Sequence, residues 1–362
     1  MKKILLVGVQ YLYYTNAFIE GLKNAEDDIC IDSVNLPCFN RDKLSLKEYL
    51  RYKLNKKRYQ EKYYVCKVSE IRKMLQTTHY DEFYSISGNI FYEYIDRDLL
   101  KWMKAKGIKT KAIYLSTVKR FNEKEQNFDL FDKIYSFEPS DVQYMKEKHI
   151  NNTFYMPIGA ADSIYASDHC ETKKKYDVCF VGMYNEYRAD LCEKVAKFCI
   201  ENNINFVVYG GYWKNRKILN IFESKKHERE FSKKYPYLSR CIINKILPGK
   251  EVAALYKQSK ICLNIHIPVH LGLNDRVFEI SASPNFQLCD EREDFAKLGF
   301  TDGENIAIYK DADDCIEKIK YYLANDELRE QIAKRSNELV LKKYTINKLI
   351  AKTLNDDYRG EF

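Results

Sequence analysis

Three features that are common in membrane and metal proteins are missing from this 362-residue sequence. No stretch approaches the roughly 20 apolar residues that a membrane-spanning helix needs. The apolar run after Met1-Lys-Lys, from Ile4 to Val9, has the length of a strand rather than of a leader. The eleven cysteines include no Cys-x-x-Cys pair, and the six histidines form no His-Glu-x-x-His set. We therefore expect a cytoplasmic protein without a bound metal.

Length and composition indicate a globular protein with two domains. A chain of 362 residues is longer than one hydrophobic core usually serves. A content of 45% hydrophobic and 14% aromatic residues is typical of globular rather than disordered chains. The polar stretch 161–175 contains Lys173-Lys174-Lys175 and has no periodic apolar pattern, so we predict a linker there.

Apolar runs of strand length alternate with helical segments on both sides of this linker. The predicted strands of the first half are 4–8, 82–86, 111–115, 133–137 and 153–156, with helices at 15–23 and 93–106. The predicted strands of the second half are 176–181, 206–209, 261–265, 287–289 and 306–309, with helices at 312–323 and 326–341. Such alternation predicts parallel sheets covered by helices on both faces, so the expected fold class is α/β.

Small and polar residues mark the predicted strand ends in the second half. They are Gly182, Gly210, Asn264 and His266. Ligands of parallel sheets bind beyond the carboxyl ends of the strands, where glycine lets a nucleotide approach the backbone and a following helix offers amides to phosphate. An ordinary strand–helix turn is the alternative for Gly182 with Arg188, and a structural role is the alternative for His266.

Arg276 and Glu279 are one helical turn apart, ahead of the predicted strand 287–289. On a helix they would share a face, where a guanidinium suits a diphosphate and a carboxylate suits the hydroxyls of a ribose. The pair predicts a nucleotide site, and a sugar nucleotide before others. A surface ion pair between neighbouring helical residues is the alternative interpretation.

A series of short motifs runs through the second half of the chain. They are Tyr-Asp-Val-Cys-Phe-Val-Gly at 176–182 with Arg188, Pro248-Gly249, Cys-Leu-Asn-Ile-His at 262–266, Asp275-Arg276-Val-Phe-Glu279, Gly-Glu-Asn-Ile-Ala-Ile-Tyr-Lys-Asp at 303–311 and Lys-Lys-Tyr-Thr at 342–345. Their order and spacing resemble the CgeB-like glycosyltransferases, a spore-maturation-protein group with the GT-B fold. Weaker matches at 131–141 and 155–159 resemble the end of the family's N-terminal domain.

This resemblance implies two Rossmann-like domains with an interdomain cleft, and a C-terminal helix that returns to the N-terminal domain. We expect a first domain over 1–160, the linker 161–175, a second domain over 176–344 and a C-terminal helix over 345–362. The resemblance implies a nucleotide-sugar donor, UDP-sugar being favoured, and no cofactor. The implied donor-binding residues are Gly182, Arg188, Gly210, Lys250, Asn264, His266, Asn274, Arg276 and Glu279. A solvated side chain is the alternative for Lys250.

Two departures from the family pattern concern catalysis. Retaining GT-B enzymes carry two glutamates in this region; Glu279 matches the second, but Leu271 stands in the place of the first. In the first half, Ser116-Thr117-Val118-Lys119-Arg120 replaces an Asp-rich segment of many relatives. Either retention or inversion therefore stays open.

The catalytic and acceptor residues are predicted from what remains. The acceptor side is expected to include Gly8, Gly88, Asn89 and Ser116. Arg276 is the candidate for stabilising the leaving diphosphate. Glu138 is the nearest remaining carboxylate at a strand end and the candidate base, with helix capping or hydrogen bonding as its alternative role.

Positive charge is concentrated in residues 41–73. This segment has twelve Lys or Arg against four Asp or Glu, a net charge of +8, which equals the net charge of the whole chain. Tyrosines and leucines are interleaved with the basic residues, as in helices that bind an anionic membrane surface. A solvated helical insertion is the plainer interpretation, and a nucleic-acid site is a third.

The expected function is transfer of a sugar from a nucleotide-sugar donor to a hydroxyl acceptor in surface glycan or glycoconjugate synthesis. The acceptor would be a glycan, a lipid-linked molecule or a protein, and the enzyme would sit in the cytoplasm or peripherally at the inner face of the membrane. Two alternatives stay open: a non-catalytic nucleotide-sugar-binding protein and a basic nucleic-acid-binding protein.

Overall fold

The computed structural model describes residues 1–9, 13–36, 46–55, 68–87, 97–120, 127–166, 172–214 and 221–354. The chain divides into two compact units. The first comprises Met1–Pro157 and Ile346–Phe362, and the second comprises Ile158–Thr345. The chain therefore leaves the first unit, forms the whole of the second, and returns.

The first unit is built on a sheet of six parallel strands in the order β2-β1-β3-β4-β5-β6. The strands are β1 (Lys2–Val9), β2 (Ile29–Leu36), β3 (Glu82–Ser87), β4 (Lys109–Tyr114), β5 (Lys133–Ser136) and β6 (Thr153–Tyr155). The helices are α1 (Tyr14–Ala25), α2 (Leu46–Leu54), α3 (68–77), α4 (Arg97–Ala105), α5 (Pro139–Glu147) and, from the end of the chain, α14 (Ile346–Leu354), with short 3-10 turns at Val118–Arg120 and Phe128–Leu130.

Helix α14 is packed against α1 so closely that the contact requires a glycine. A Cβ on Gly21 would lie 2.5 Å from the Ile350 side chain, which is nearer than real Cβ contacts come. Leu349, Ile350 and Leu354 are buried. The last helix of the chain thus belongs to the core of the first unit.

A buried lysine ties α14 to the sheet. Lys111 in β4 is 1% exposed, and its Nζ donates to Glu82 Oε2 at 2.8 Å and to the carbonyl oxygen of Thr353 at 2.7 Å. The Tyr84 hydroxyl lies 3.3 Å from the same Nζ and 3.1 Å from Thr353 Oγ1. Lys2 also contacts Glu82, at 3.3 Å. The lysine therefore satisfies both a buried carboxylate and a carbonyl at the C-terminal end of a helix.

The second unit has its own sheet of six parallel strands, in the order β12-β11-β10-β7-β8-β9. The strands are β7 (Tyr176–Val181), β8 (Phe206–Tyr209), β9 (Ile242–Ile243), β10 (Ser259–Asn264), β11 (Gln287–Asp290) and β12 (Ala307–Tyr309). The helices are α6 (Glu186–Glu201), α7 (Ile221–Lys234), α8 (Leu238–Cys241), α9 (Gly249–Lys257), α10 (Asp275–Ser281), α11 (Asp294–Lys297), α12 (Ala312–Leu323) and α13 (Asp326–Lys343), with a π-helical turn at Asp162–Ala166.

Each sheet has a hydrophobic core of its own. In the second unit Val178, Phe180, Ile261 and Leu263 from the two central strands are buried beneath the helices. In the first unit Leu5, Val7 and Phe83 lie on the interior strands β1 and β3. Central parallel strands are covered on both faces, which explains why they appear in the sequence as continuous apolar runs.

The predicted α/β class with the GT-B pattern of two parallel sheets is confirmed. Two strands, β2 and the two-residue β9, were not predicted, and each is an edge strand of its sheet. In β2, Asp32, Ser33 and Asn35 interrupt the apolar residues because much of the strand is only partly buried. None of the described helices combines the length and apolar character required to cross a bilayer.

The predicted linker 161–175 is ordered in its first part. Asp162–Ala166 form the π-helical turn of the second unit, and Tyr165 within it is 1% exposed. The hydroxyl of Ser283 donates to the Tyr165 carbonyl oxygen. Residues 167–171 lie outside the described residues.

Candidate functional site

Three loops leave the second sheet at the same edge, the carboxyl ends of β7, β8 and β10. They connect β7 to α6 through Gly182, lead out of β8 through Gly210 and connect β10 to α10 through 265–274. Because β7 is the neighbour of both β8 and β10, the first residues of these loops are adjacent. This edge contains most of the predicted donor-binding residues.

The β7 and β8 loops approach each other as closely as two backbones can. A Cβ on Gly210 would lie 1.8 Å from the Gly182 carbonyl oxygen. That oxygen accepts a hydrogen bond from Trp213 Nε1 at 2.8 Å, and Trp213 is fully buried. A Cβ on Gly182 would lie 2.6 Å from the Phe180 ring. Both predicted glycines are therefore required by loop packing, whatever ligand binds beside them.

Arg188 is a buried cation at this edge. It lies in the first turn of α6 and is 4% exposed. Its Nε donates to the Ile265 carbonyl oxygen at 2.9 Å, and its Nη1 donates to the Met183 carbonyl oxygen at 3.3 Å. Burial, and then the neighbouring charge of Arg276, lowers the pKa of Arg188 to about 10. The guanidinium therefore stays charged at neutral pH despite its burial.

Arg276, on α10, reaches the same edge of the second sheet. Its Nε donates to the carbonyl oxygen of Val181, the last residue of β7, and its Nη1 contacts Asp275 Oδ1 at 3.1 Å. The carbonyl oxygen of Arg276 accepts from Gln287 Nε2 at 3.1 Å. Arg276 and Arg188 thus bring two positive charges to the ends of β7 and β10.

Asn274 is the most heavily anchored residue of the site. Its side chain exchanges two hydrogen bonds with Asn264, at 2.9 and 3.0 Å. As the N-cap of α10 its Oδ1 also accepts from the Val277 amide. Its own amide donates to Nε2 of His266 at 3.0 Å. These bonds fix where α10 begins, and α10 carries Arg276 and Glu279.

Both ring nitrogens of His266 are used inside the protein. Asp290 Oδ1 accepts from the His266 amide at 3.0 Å and lies 2.7 Å from Nδ1. Because Nε2 accepts the Asn274 amide, the proton sits on Nδ1 and the ring is neutral. Burial lowers the pKa of His266, which favours the neutral form. In this geometry His266 supports the loop, and its sugar or phosphate contact stays a prediction.

Asp290 is held by an arginine as well as by His266. Arg292 Nη2 lies 2.6 Å from Asp290 Oδ2, and Arg292 Nη1 donates to the His270 carbonyl oxygen at 3.1 Å. Burial alone would raise the pKa of Asp290, but the hydrogen bond from His266 and the positive charge of Arg292 lower it to about 2. With Cys289, this is the one His, Cys, Asp and Glu group within ligating distance among the described residues. The positive charge of Arg292 beside the Asp290 carboxylate disfavours the binding of a metal cation there.

The remaining predicted donor residues occupy different environments. Glu279 is 5% exposed and lies beside the buried Tyr256 of α9, whose pKa is raised first by burial and then by the charge of Glu279. Lys250 is exposed on the first turn of α9. Arg276 and Glu279 thus lie on α10, with Arg188 nearby. Lys250 is exposed to solvent, as its alternative interpretation expected.

The predicted acceptor-side residues belong to the first unit. Gly8 lies within β1, where a Cβ would come within 2.5 Å of the Thr15 side chain, so it serves the packing of α1. Ser116 is half-buried after β4. Gly88 and Asn89 lie outside the described residues.

The candidate base Glu138 is a buried N-cap residue. It precedes α5, is 2% exposed, and the Ser140 hydroxyl lies 3.4 Å from its Oε1. Its neighbour Asp141 accepts from Thr117 Oγ1 at 2.6 Å and from the Val118 amide at 2.9 Å, and burial raises its pKa. The role of Glu138 as general base stays a prediction.

Three supporting residues of the second unit were not predicted. Asp290, Arg292 and Trp213 make the contacts described above. Asp290 stands at the end of an apolar strand, a position that the same strand-end reasoning would have selected. Trp213 gives no sequence signal of its own, because its partner Gly182 lies 31 residues away. Arg292 pairs with Asp290, two residues before it, but also contacts His270, 22 residues away.

The second half of the chain is similar to known proteins. Residues 188–355 match the family model described as glycosyl transferase-like. The chain is 22% identical to spore protein CgeB of Bacillus subtilis strain 168 over 270 residues, which cover 71% of this chain and 78% of CgeB. The predicted resemblance is confirmed.

Solved structures show the same fold over the full length. Sucrose-phosphate synthase (tll1590) from Thermosynechococcus elongatus is 12% identical with a TM-score of 0.64, covering 99% of this chain and 98% of that one. Anabaena Alr3699/HepE in complex with UDP-glucose is 10% identical with a TM-score of 0.62, covering 98% and 100%. The chain therefore has the GT-B fold, its residues 188–355 match a glycosyl transferase-like family, and it is similar to spore protein CgeB.

Proposed function

We propose that this enzyme transfers a sugar from a UDP-sugar to a hydroxyl acceptor, and that the second unit binds the donor. The observation that carries the proposal is the pair of arginines at the ends of β7 and β10. Arg188 is buried, and the charge of Arg276 contributes to lowering its pKa to about 10. Two like charges held together in a poorly solvated place are unfavourable alone, and an anion between or beside them would offset that cost.

A diphosphate is the anion that best matches the rest of the site. Arg276 and Glu279 stand one turn apart on α10. A guanidinium near the diphosphate would stabilise the negative charge that develops as the glycosidic bond to the leaving group breaks. The Glu279 carboxylate would accept hydrogen bonds from the ribose hydroxyls. No step of this kind requires a metal ion, because the arginines supply the positive charge.

UDP is favoured because structures similar to this chain hold it. Anabaena HepE was solved in complex with UDP and with UDP-glucose. The contacts described for the donor site do not specify the sugar, the acceptor or the stereochemical course. The acceptor classes that we consider are a glycan, a lipid-linked molecule and a protein. Synthesis of a surface glycan or glycoconjugate at the inner face of the membrane fits all three.

Replacing Arg276 by alanine tests the donor site. We expect UDP to bind the Arg276→Ala variant about 1.5–3 kcal/mol more weakly, as for the loss of a charged hydrogen bond, while uridine binding changes little. Isothermal titration calorimetry measures both ligands. Arg335→Ala, an exposed arginine on α13, is the matched control. Equal loss for UDP and uridine would remove Arg276 from the diphosphate.

The same titrations test the ribose contact and the reaction. A Glu279→Gln variant should lose affinity for UDP but keep its affinity for the 2′,3′-dideoxy analogue. Turnover is then measured as sugar hydrolysis and transfer from UDP-sugars, with and without EDTA. Binding without either activity would favour the non-catalytic sugar-nucleotide-binding alternative, for which the leucine at position 271 is the supporting feature.

Attachment to an anionic membrane through 41–73 is the second part of the proposal. Helix α2 and the first residues of α3, 68–73, are the described portions, and α2 exposes Leu50 and Leu54 beside Arg51 and Lys53. Each basic residue near an anionic surface contributes roughly 1 kcal/mol, which fades with salt. The basic-helix pattern favours the membrane over nucleic acid because apolar and basic residues share one short helix.

Removing four charges from this segment should release the protein from anionic vesicles. We expect a variant with glutamine in place of Lys53, Lys56, Lys57 and Arg58 to co-sediment less with phosphatidylserine liposomes at low salt. Its UDP affinity should not change. The control variant removes the same charge from α7, with glutamine in place of Lys225, Lys226, Arg229 and Lys233. If the wild-type protein does not co-sediment with the liposomes at low salt, membrane attachment by this segment is excluded.

A further inference from the structure

We infer that Asp290, His266 and Asn274 form a relay of hydrogen bonds that positions α10 for donor binding, a role that rests on the proposed function. The relay runs from the end of β11, through the histidine beyond β10, to the residue that starts α10. None of its members needs to touch the donor. Each acts through the next, and the last one sets the place of Arg276 and Glu279.

The direction of every bond in the relay follows from its partners. Asp290 Oδ1 lies 2.7 Å from His266 Nδ1 and 3.0 Å from the His266 amide, and a carboxylate can only accept. The carboxylate therefore holds the proton on Nδ1. That leaves the lone pair of Nε2 facing the Asn274 amide at 3.0 Å. The opposite tautomer would place two N–H groups against each other.

The loop between His266 and Asn274 explains why α10 needs this support. Val269 and Leu271 in the loop are 61% and 59% exposed, so the loop is not anchored by burial of these side chains. Arg292 donates to the His270 carbonyl oxygen, 3.1 Å away, and Leu273, directly before Asn274, is buried. The start of α10 is therefore held by burial of Leu273 and by the bonds to Asn274. Its side chain is bound to Asn264, and its amide is bound to the relay.

Two substitutions at His266 separate the halves of the relay. In His266→Asn the shorter amide can still donate to Asp290 but provides no acceptor for the Asn274 amide. In His266→Gln the longer side chain places a carbonyl oxygen near the position of Nε2. We expect the UDP affinity of His266→Asn to fall at least about tenfold, and His266→Gln to recover to within about threefold of the wild type. Circular dichroism and thermal unfolding verify that both variants are folded.

The wild-type protein provides a test that does not depend on a variant. With 15N-labelled histidine, the ring shifts of His266 should report a protonated Nδ1 and an unprotonated Nε2 between pH 6.5 and 8. A ring with its proton on Nε2 would overturn the relay. So would His266→Asn and His266→Gln variants that are folded and bind UDP equally, whether both match the wild type or both lose the same affinity.

The outcomes distinguish the relay from the function on which it rests. A wild type that binds no nucleoside diphosphate would overturn the proposed function and the relay with it. A wild type that binds UDP, with variants that show no difference between Asn and Gln, would leave the proposed function standing and overturn the relay alone.

Discussion

Lys111→Ala should destabilise the first unit by about 3–5 kcal/mol, because it leaves the buried Glu82 carboxylate without its nearest cation. It also removes the donor from the Thr353 carbonyl oxygen near the end of α14. Hydrogen exchange of the α14 amides should therefore accelerate more than that of the central strands. Urea unfolding measures the stability, and exchange followed by mass spectrometry locates the loss.

Two comparisons make this prediction specific. Lys104→Ala removes an exposed lysine from α4, and a change below about 0.5 kcal/mol is expected. A double variant with Lys111→Met and Glu82→Gln should recover part of the lost stability, since it no longer buries an unpaired charge. An Lys111→Ala protein as stable as Lys104→Ala would show that the buried pair contributes no net stability.

Gly210→Ala should destabilise the second unit by about 3 kcal/mol or more. Its Cβ would lie 1.8 Å from the Gly182 carbonyl oxygen, and the obstacle is backbone, which cannot rotate away as a side chain would. The β7 and β8 loops would have to separate, breaking the bond from Trp213 Nε1 to the same oxygen. We expect UDP affinity to fall along with the midpoint of thermal unfolding, because this loop pair lies beside Arg188.

Gly303→Ala is the matched control for the effect of conformation alone. Gly303 has a φ of +75°, but a Cβ there would meet nothing within 4 Å. Its cost should be about 1–2 kcal/mol, the strain of a left-handed residue without a steric clash. A similar loss of stability in Gly210→Ala and Gly303→Ala would mean that the β7 and β8 loops separate at little cost.

The parts of the fold that could be predicted from the sequence are those with continuous apolar strands. Tyr176–Val181 and Phe206–Tyr209 have the predicted bounds, since buried central strands leave an uninterrupted apolar run. The edge strand Ile29–Leu36 escaped prediction because one side of it meets no neighbouring strand and polar residues are tolerated there. Helix α14 was expected from the resemblance, but its lysine tie was not.

For the site, the sequence indicated the charged residues and part of their support, namely Asn264, His266 and Asn274, but not Asp290, Arg292 or Trp213. Arg276 and Glu279 share helix α10, and the charge of Arg276 acts on Arg188. His266 was given a ligand contact, whereas the structure engages both of its nitrogens with Asp290 and Asn274. Spacing along the chain indicates which side chains share a helix face, but it does not show which hydrogen bonds across 8 or 24 residues a ring will make.

The return of the chain to the first unit has a consequence for synthesis. Helix α14 fills part of the first unit's core, yet the whole of Ile158–Thr345 is translated before it. At roughly 5–20 residues per second, the nascent first unit waits on the order of ten to forty seconds for its last helix. During that time the α1 surface around Gly21 and the Lys111–Glu82 pair lack their cover. The second unit, which is continuous in sequence, can complete its core first, so the order of folding runs opposite to the order of translation.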